Sequence, residues 1–447
     1  MLAGLQSLAQ TNWPSNIKLT KLDNGLSILV LEDNSVPLVT VEIAVRNGSF
    51  TEDTAYNGLS HLYEHMFFKA NKDIPSQEKY IDRVHELGIV LNGTTNTELV
   101  NYYFTLGAKD LNSGLKFMNS AIRYPLFLQE EMKKENPVVD GEFQRAESNP
   151  FFPLTNAFNH KMWGSLYSRK NPIGDHQIIL TATPEKMRVI KDKYYFPNNS
   201  MLVIAGSVKT ADVLTQVKAI FGDWKPSDLD PFQKWPIPEF APLNPADSLS
   251  FVVIGENARV PALQIGWRGP DTRTDIKNTI VADVFSYILS QKNSMFQKNL
   301  IDSGYALNAG INYFTQAHVG PISIFFIPNP GKFKTSFKAL QHQIDQFDSD
   351  NYFTNEQLET AKTKLVNQDI YSHEVTSQFV HTLSFWWSSA SLDYYFSYLN
   401  EIKKINRQDI KDYIHKYIKG QPSVKGLLLS PSMQKNWNVT DLDALFK

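Results

Sequence analysis

The chain has 447 residues, 42% of them hydrophobic, with 44 basic side chains against 46 acidic ones and no cysteine. That length exceeds what one core usually fills, so two or more domains are expected, and a formal net charge of -2 gives no global basic field to draw the protein to nucleic acid or anionic lipid. The missing cysteine rules out disulfides and thiol catalysis and directs any metal site to histidine and carboxylate ligands; no run of about 18 uncharged apolar residues offers a membrane span.

The opening stretch, MLAGLQSLAQTNWPSN, lacks the basic region and sustained apolar core of an export signal. Either the protein stays in the cytoplasm, or a signal was removed before residue 1; the second reading, favoured here, places it in the periplasm or another cell-envelope compartment. From Gly25 the text reads strand, turn, strand: 26–31 is apolar, Glu32-Asp33-Asn34-Ser35 is turn chemistry and 38–45 alternates, which predicts a hairpin. Leu59, Leu62 and Met66 recur at helical intervals within 58–69. Further on, 101–106 reads as a strand, 111–124 as a helix and 201–205 as a buried strand ending at Gly206. Six prolines in 226–247 can sustain neither helix nor central strand, so this segment is read as a linker between lobes at 15–225 and 248–447.

Past the linker the opening pattern returns. SFVVIGENARVPALQIGWRG repeats the arrangement of LSILVLEDNSVPLVTVEIAVRNG, with Val260-Pro261 where Val36-Pro37 stood, and 193–206 finds an echo in 416–429. The halves look duplicated.

The chemistry concentrates in His61-Leu62-Tyr63-Glu64-His65. Histidines four apart on a helix share one face and can share a metal. Glu64, one position before the second histidine, can reach a water on that metal as general base. A catalytic zinc uses three protein ligands and one open position, so a third ligand must come from elsewhere.

Together with Arg46-Asn47-Gly48-Ser49, Gly58-Leu59 and Met66-Phe67-Phe68-Lys69, this motif resembles the inverzincins, the M16 metallopeptidases of the pitrilysin and mitochondrial-processing-peptidase type, whose His-x-x-Glu-His reverses the ordinary zincin order. The resemblance covers nearly the whole chain. It implies an α+β fold of two homologous lobes, each a mainly antiparallel β-sheet packed against helices and related by pseudo-two-fold symmetry. It implies one Zn2+ ion held by His61, His65 and Glu142, since 76 residues separate His65 from Glu142, as in the family pattern. Glu135, seven residues before Glu142, matches a glutamate that assists the site. Asn92-Gly93-Thr94-Thr95 resembles the edge-strand segment that holds an extended peptide substrate by strand addition, although Asn-Gly is equally an ordinary turn pair. Pro137 and Gly141 depart from a regular helix and predict a kink or a late helix start before Glu142.

In the second half, 279–289 has no histidine, so this lobe offers no metal motif. Active relatives supply an arginine and a tyrosine from a segment similar to Met295–Leu307, but here Leu300 and Leu307 stand at those positions, where core packing is expected of both. The resemblance then implies divided labour: a zinc subunit working on unfolded peptides as a heterodimer with a homologous M16 partner that keeps the arginine and tyrosine. The alternatives are a self-sufficient monomer or homodimer using Tyr305, Asn308 or Tyr313 instead, and a non-catalytic scaffold subunit.

Overall fold

The computed structural model describes residues 13–447, so most of the stretch on which the export reading rests lies outside the described residues. Eleven strands among them form two sheets. The first orders β1 (Ile17–Lys21), β2 (Ser27–Glu32), β3 (Leu38–Val45), β4 (Val90–Thr95), β5 (Val100–Gly107) and β6 (Ser200–Gly206) as β1-β2-β6-β3-β5-β4. The second orders β7 (Leu249–Ile254), β8 (Ala262–Arg268), β9 (Ala306–Tyr313), β10 (Pro321–Pro328) and β11 (Val424–Leu429) as β7-β11-β8-β10-β9. Setting β1 aside, the two orders are the same, and so are the strand senses. In each sheet the first pair (β2 with β6, β7 with β11) is parallel and the remainder antiparallel. The duplicated text thus folds into a duplicated sheet, and the protein is α+β with two homologous lobes.

The predicted hairpin over 26–45 does not form. β2 and β3 flank β6, whose seven residues are all buried: β2 pairs with it from Met201 to Gly206 and β3 from Ser200 to Gly206. Turn chemistry at 32–35 reports a chain reversal only; the most apolar strand, arriving about 160 residues later, takes the central place because burying it on both faces removes the most apolar surface from water.

Helices α1 (Leu59–Phe67), α2 (Gln77–Glu86), α3 (Leu111–Arg123), α4 (Gln129–Glu147) and α5 (Phe152–Trp163) follow in chain order. The compact units are not continuous stretches. One combines the described residues up to Asp140 with Pro172–Ile237 and Tyr371–Tyr398; the other combines Gly141–Asn171, Pro238–Ile370 and Leu399–Lys447. Each half of the sequence therefore lends a helical segment to the other's unit, where division at 226–247 would give two contiguous lobes. The boundary at Asp140 falls inside α4, which is one continuous helix.

In the first unit, α1, α2 and α3 contribute to a large core on one face of the sheet. On the other face Leu29, Ala44, Met201 and Val203 meet Phe379, Val380, Leu383 and Trp387 of the helix Thr376–Ser389. Fully buried Glu42 on β3 would be costly there, but Asn101 donates to it at 2.8 Å and His381 of the same helix pairs with its other oxygen. In the second unit α5 packs on β7, β8 and β11. Glycines make the room: a Cβ at Gly266 would lie 2.4 Å from Phe158, and one at Gly426 would lie 2.8 Å from Leu154.

The 226–247 segment departs from expectation in holding two short helical turns, Pro231–Lys234 and the 3-10 turn Pro245–Asp247; in the first, Pro231 occupies the first turn at no hydrogen-bonding cost and Asp230 accepts from the Phe232 N–H at 2.8 Å. Because Leu383 is fully buried, Leu383→Ala is expected to cost about 2–5 kcal/mol by removing methyl groups from a closed core; chemical denaturation of the two proteins measures it.

Candidate metal centre

α1 begins at Gly58, in the left-handed region at φ 89°, where a side chain would also strike Gly174 Cα at 2.5 Å. Its first turn has no side-chain cap from Gly58. The N–H groups of Gly58 and Ser60 instead donate to the carboxyl oxygens of Glu52 at 2.7 and 2.6 Å, which satisfies two otherwise orphaned donors. Below α1, Phe67 stacks on Tyr102 of β5 with centroids 3.8 Å apart and Tyr63 on Tyr195 at 4.1 Å, while the Tyr102 and Tyr195 hydroxyls are 2.8 Å apart. These aromatic contacts fix the rotation of α1 and so the face that carries the histidines.

On that face the His61 and His65 rings meet edge to face at 5.0 Å. Glu142 joins them: among the described residues His61, His65 and Glu142 form the one group whose ligand atoms all lie within 4.8 Å of one another. Two imidazoles and a carboxylate fit a zinc ion with one coordination position left open. α4 runs unbroken from Gln129 to Glu147 through Pro137, so the expected late start is absent, and one helix carries both Glu135 and Glu142. The buried amide of Asn136, just before the proline, donates to the Ala182 carbonyl at 3.1 Å and ties the helix down there.

Glu135 lies behind His65. Its Oε1 is 2.9 Å from His65 Nδ1 and its Oε2 is 2.5 Å from Lys69 Nζ. Burial pushes this carboxyl up, but the hydrogen bonds from His65 and Lys69 and their charges bring it below the ordinary value. A carboxylate only accepts, so the His65 proton belongs on Nδ1 and Nε2 is the acceptor a metal requires.

Glu64 is buried and accepts from Thr95 Oγ1 of β4 at 2.8 Å. Gly93, two residues earlier on the same face of that strand, presses against it: a Cβ there would sit 2.8 Å from both Glu64 Cγ and Oε1. Asn92 is exposed on the opposite face, as strand pleating requires. Asn92 and Gly93 stand inside a strand rather than a turn, and β4 is an edge strand of its sheet.

The structure thus brings together His61, Glu64, His65, Glu135, Glu142 and Gly93. It adds three residues that sequence reasoning did not assign: Glu52, Thr95 and Lys69. Thr95, two residues from Gly93, and Lys69, in the family-like segment after His65, lay in stretches the sequence had singled out; Glu52 carried no such signal.

In the second unit Leu300 is fully buried on the turn Lys298–Asp302, as core packing predicts. Leu307 is 56% exposed on edge strand β9, which overturns that reading for this position: its neighbour Ala306 takes the inward side of the pleat. Of the alternative donors, the Tyr313 hydroxyl donates to the Pro270 carbonyl at 2.9 Å.

Comparison with known proteins follows the same lines. Solved structures share the fold. A protease from Helicobacter pylori superposes with a TM-score of 0.79 at 19% identity over 92% of this chain and 99% of that one. The periplasmic protease PqqL from Escherichia coli gives 0.75 at 16% identity over 97% of this chain, which spans half of that protein. In sequence, an uncharacterized zinc protease of Rickettsia felis is 23% identical over 80% of this chain and 84% of its own length. The family Insulinase (Peptidase family M16) matches residues 28–169, and Peptidase M16 inactive domain matches 181–365. The chain belongs to peptidase family M16.

One prediction concerns the α1 cap. Burial pushes the Glu52 carboxyl up to about 8 from an ordinary 4.5, against the pull of its two N–H donors. The folded state then holds a proton that the unfolded state releases, so this contribution is whole below about pH 4.5 and is lost as the pH rises through about 8. Denaturation between about pH 5 and 9 should show stability falling with pH in the parent protein and a flatter profile in Glu52→Gln.

Proposed function

We propose that this chain is the zinc-binding subunit of a metalloendopeptidase that hydrolyses unfolded peptides. The observation that carries the reading is the convergence of His61, His65 and Glu142 beside a buried Glu64. Zinc is the favoured ion because two imidazoles and a carboxylate are one of its catalytic donor sets, and because the Rickettsia felis relative is named a zinc protease. One bound zinc ion would supply Lewis-acid polarisation of a carbonyl and would lower the pKa of water toward about 7.

The chain's own residues do the remainder. Glu64 takes the proton of the attacking water and returns it to the leaving amine, held for that exchange by Thr95 Oγ1. Glu135 keeps His65 in the ligating tautomer. The edge strand β4 offers its backbone to an extended peptide near Asn92 and Gly93, a mode that selects chains without folded structure.

A homologous partner chain completes the active enzyme by supplying an arginine and a tyrosine, the donors that act where charge develops on the scissile carbonyl. What supports this is the pair Leu300 and Leu307, which offer no hydrogen bond. A periplasmic or other envelope location is the companion proposal, supported by the likeness to PqqL, a periplasmic protease.

The test is cleavage of a quenched unstructured peptide. With the partner present, Glu64→Gln should keep its zinc and lose about 10²–10⁴-fold in rate; unchanged activity would sink the assignment of the base. The zinc-loaded chain alone should be inactive, and robust cleavage by it would refute divided labour. Gly93→Ala, whose new methyl group must displace Glu64, should bind zinc as before and lose at least about tenfold in kcat, the scale of a misplaced catalytic group.

A further inference from the structure

α4 presents three carboxylates on one stripe. Glu131, Glu135 and Glu142 stand four and then seven residues apart, which keeps them within about 40° of arc. Glu142 closes the cluster with the two histidines. The other two hold the chain that leaves α1. Glu131 accepts from the backbone N–H groups of Ala70 at 3.1 Å and Gln77 at 2.8 Å, while Glu135 divides its oxygens between His65 and Lys69.

Lys69 stands two residues past the last residue of α1 and is 4% exposed. An ammonium in such a place requires a charged partner, and among the described residues the ion pair it makes is with Glu135. The carboxyl of a glutamate turns readily about its last torsion, whose energy profile is broad. A carboxylate held by His65 alone can swing away; one held at both oxygens cannot do so without stripping a buried ammonium of its counter-charge.

We propose that Lys69 is a positioning residue for the metal centre: by fixing Glu135 Oε2 it locks Oε1 onto His65 Nδ1, and so fixes the orientation and tautomer with which His65 meets the metal. The proposal rests on the metal reading above. The bland alternative is that Lys69 simply ties the segment after α1 to α4, as Glu131 does through Ala70 and Gln77.

Zinc affinity by chelator competition, read beside apo-protein melting, separates the two. Lys69→Met, which keeps the apolar stem and removes the charge, should weaken zinc binding about 10–100-fold, the range for loss of an outer partner of a ligating histidine. Glu135→Gln should do the same, and the double variant should be no weaker than Glu135→Gln, because both changes break one chain of contacts. Glu131→Gln, which touches no ligand, should lower melting and leave affinity unchanged. Wild-type affinity in Lys69→Met, or multiplied losses in the double variant, would overturn the proposal. If Lys69→Met does not fold, Lys69→Gln is read by the same criteria, with a smaller loss expected because its amide still donates. His61→Ala is the separate control: full zinc binding there would defeat the metal reading itself.

Discussion

Much of this molecule depends on how α1 is seated against α4. One helix carries His61, Glu64 and His65, the other Glu135 and Glu142, and the two are far apart in sequence. Their alignment is fixed by hydrogen bonds of unusual economy. Glu131 grips backbone, Glu135 grips His65 and a buried lysine, and Glu142 reaches the histidines. Because an α-helix returns to the same face after seven residues to within about 20°, one rigid rod sets all three distances at once. A slip of one residue would turn every carboxylate about 100° away.

The remainder of the first unit serves that alignment. The aromatic stack of Phe67, Tyr102, Tyr63 and Tyr195 stops α1 from rolling, and Glu52 stops its first turn from fraying. The edge strand β4 approaches closely because position 93 has no side chain, and Thr95 then reaches Glu64. Catalytic geometry tolerates little slack, and the candidate site is built on a helix and a strand rather than on loops. The sheet beneath is buried on both faces, which makes it a stiff support: the helix Thr376–Ser389, from the far half of the chain, covers the face opposite α1.

Legibility varied with the range of the interaction. The α1 helix, β5, α3 and β6 were readable because each is a local periodicity of apolar residues. The repeated sheet was readable because duplicated text carries a duplicated apolar pattern. The pairing of β2 and β3 was not, since a turn sequence says that the chain reverses and nothing about which strand enters the gap. Pro137 misled in the other direction: the lost backbone hydrogen bond is a local cost, and α4 continues through it because its buried residues Met132, Asn136 and Val139 are held by the fold. Leu307 misled because hydrophobicity alone does not tell an edge strand's inward side from its outward one.

The sequence by itself determined the kinds of chemistry open to the protein: no thiol, a helical pair of histidines with a glutamate between them, a third carboxylate at a family-like interval, and a second half without a metal motif. Only the tertiary structure decided which groups stand behind those residues. Lys69 behind Glu135, Thr95 and Gly93 behind Glu64, and Glu52 beneath α1 are contacts between segments whose separation carries no periodic signal. Such contacts arise from how whole elements pack, because burying a charge or closing a helix end is costly until a distant partner arrives.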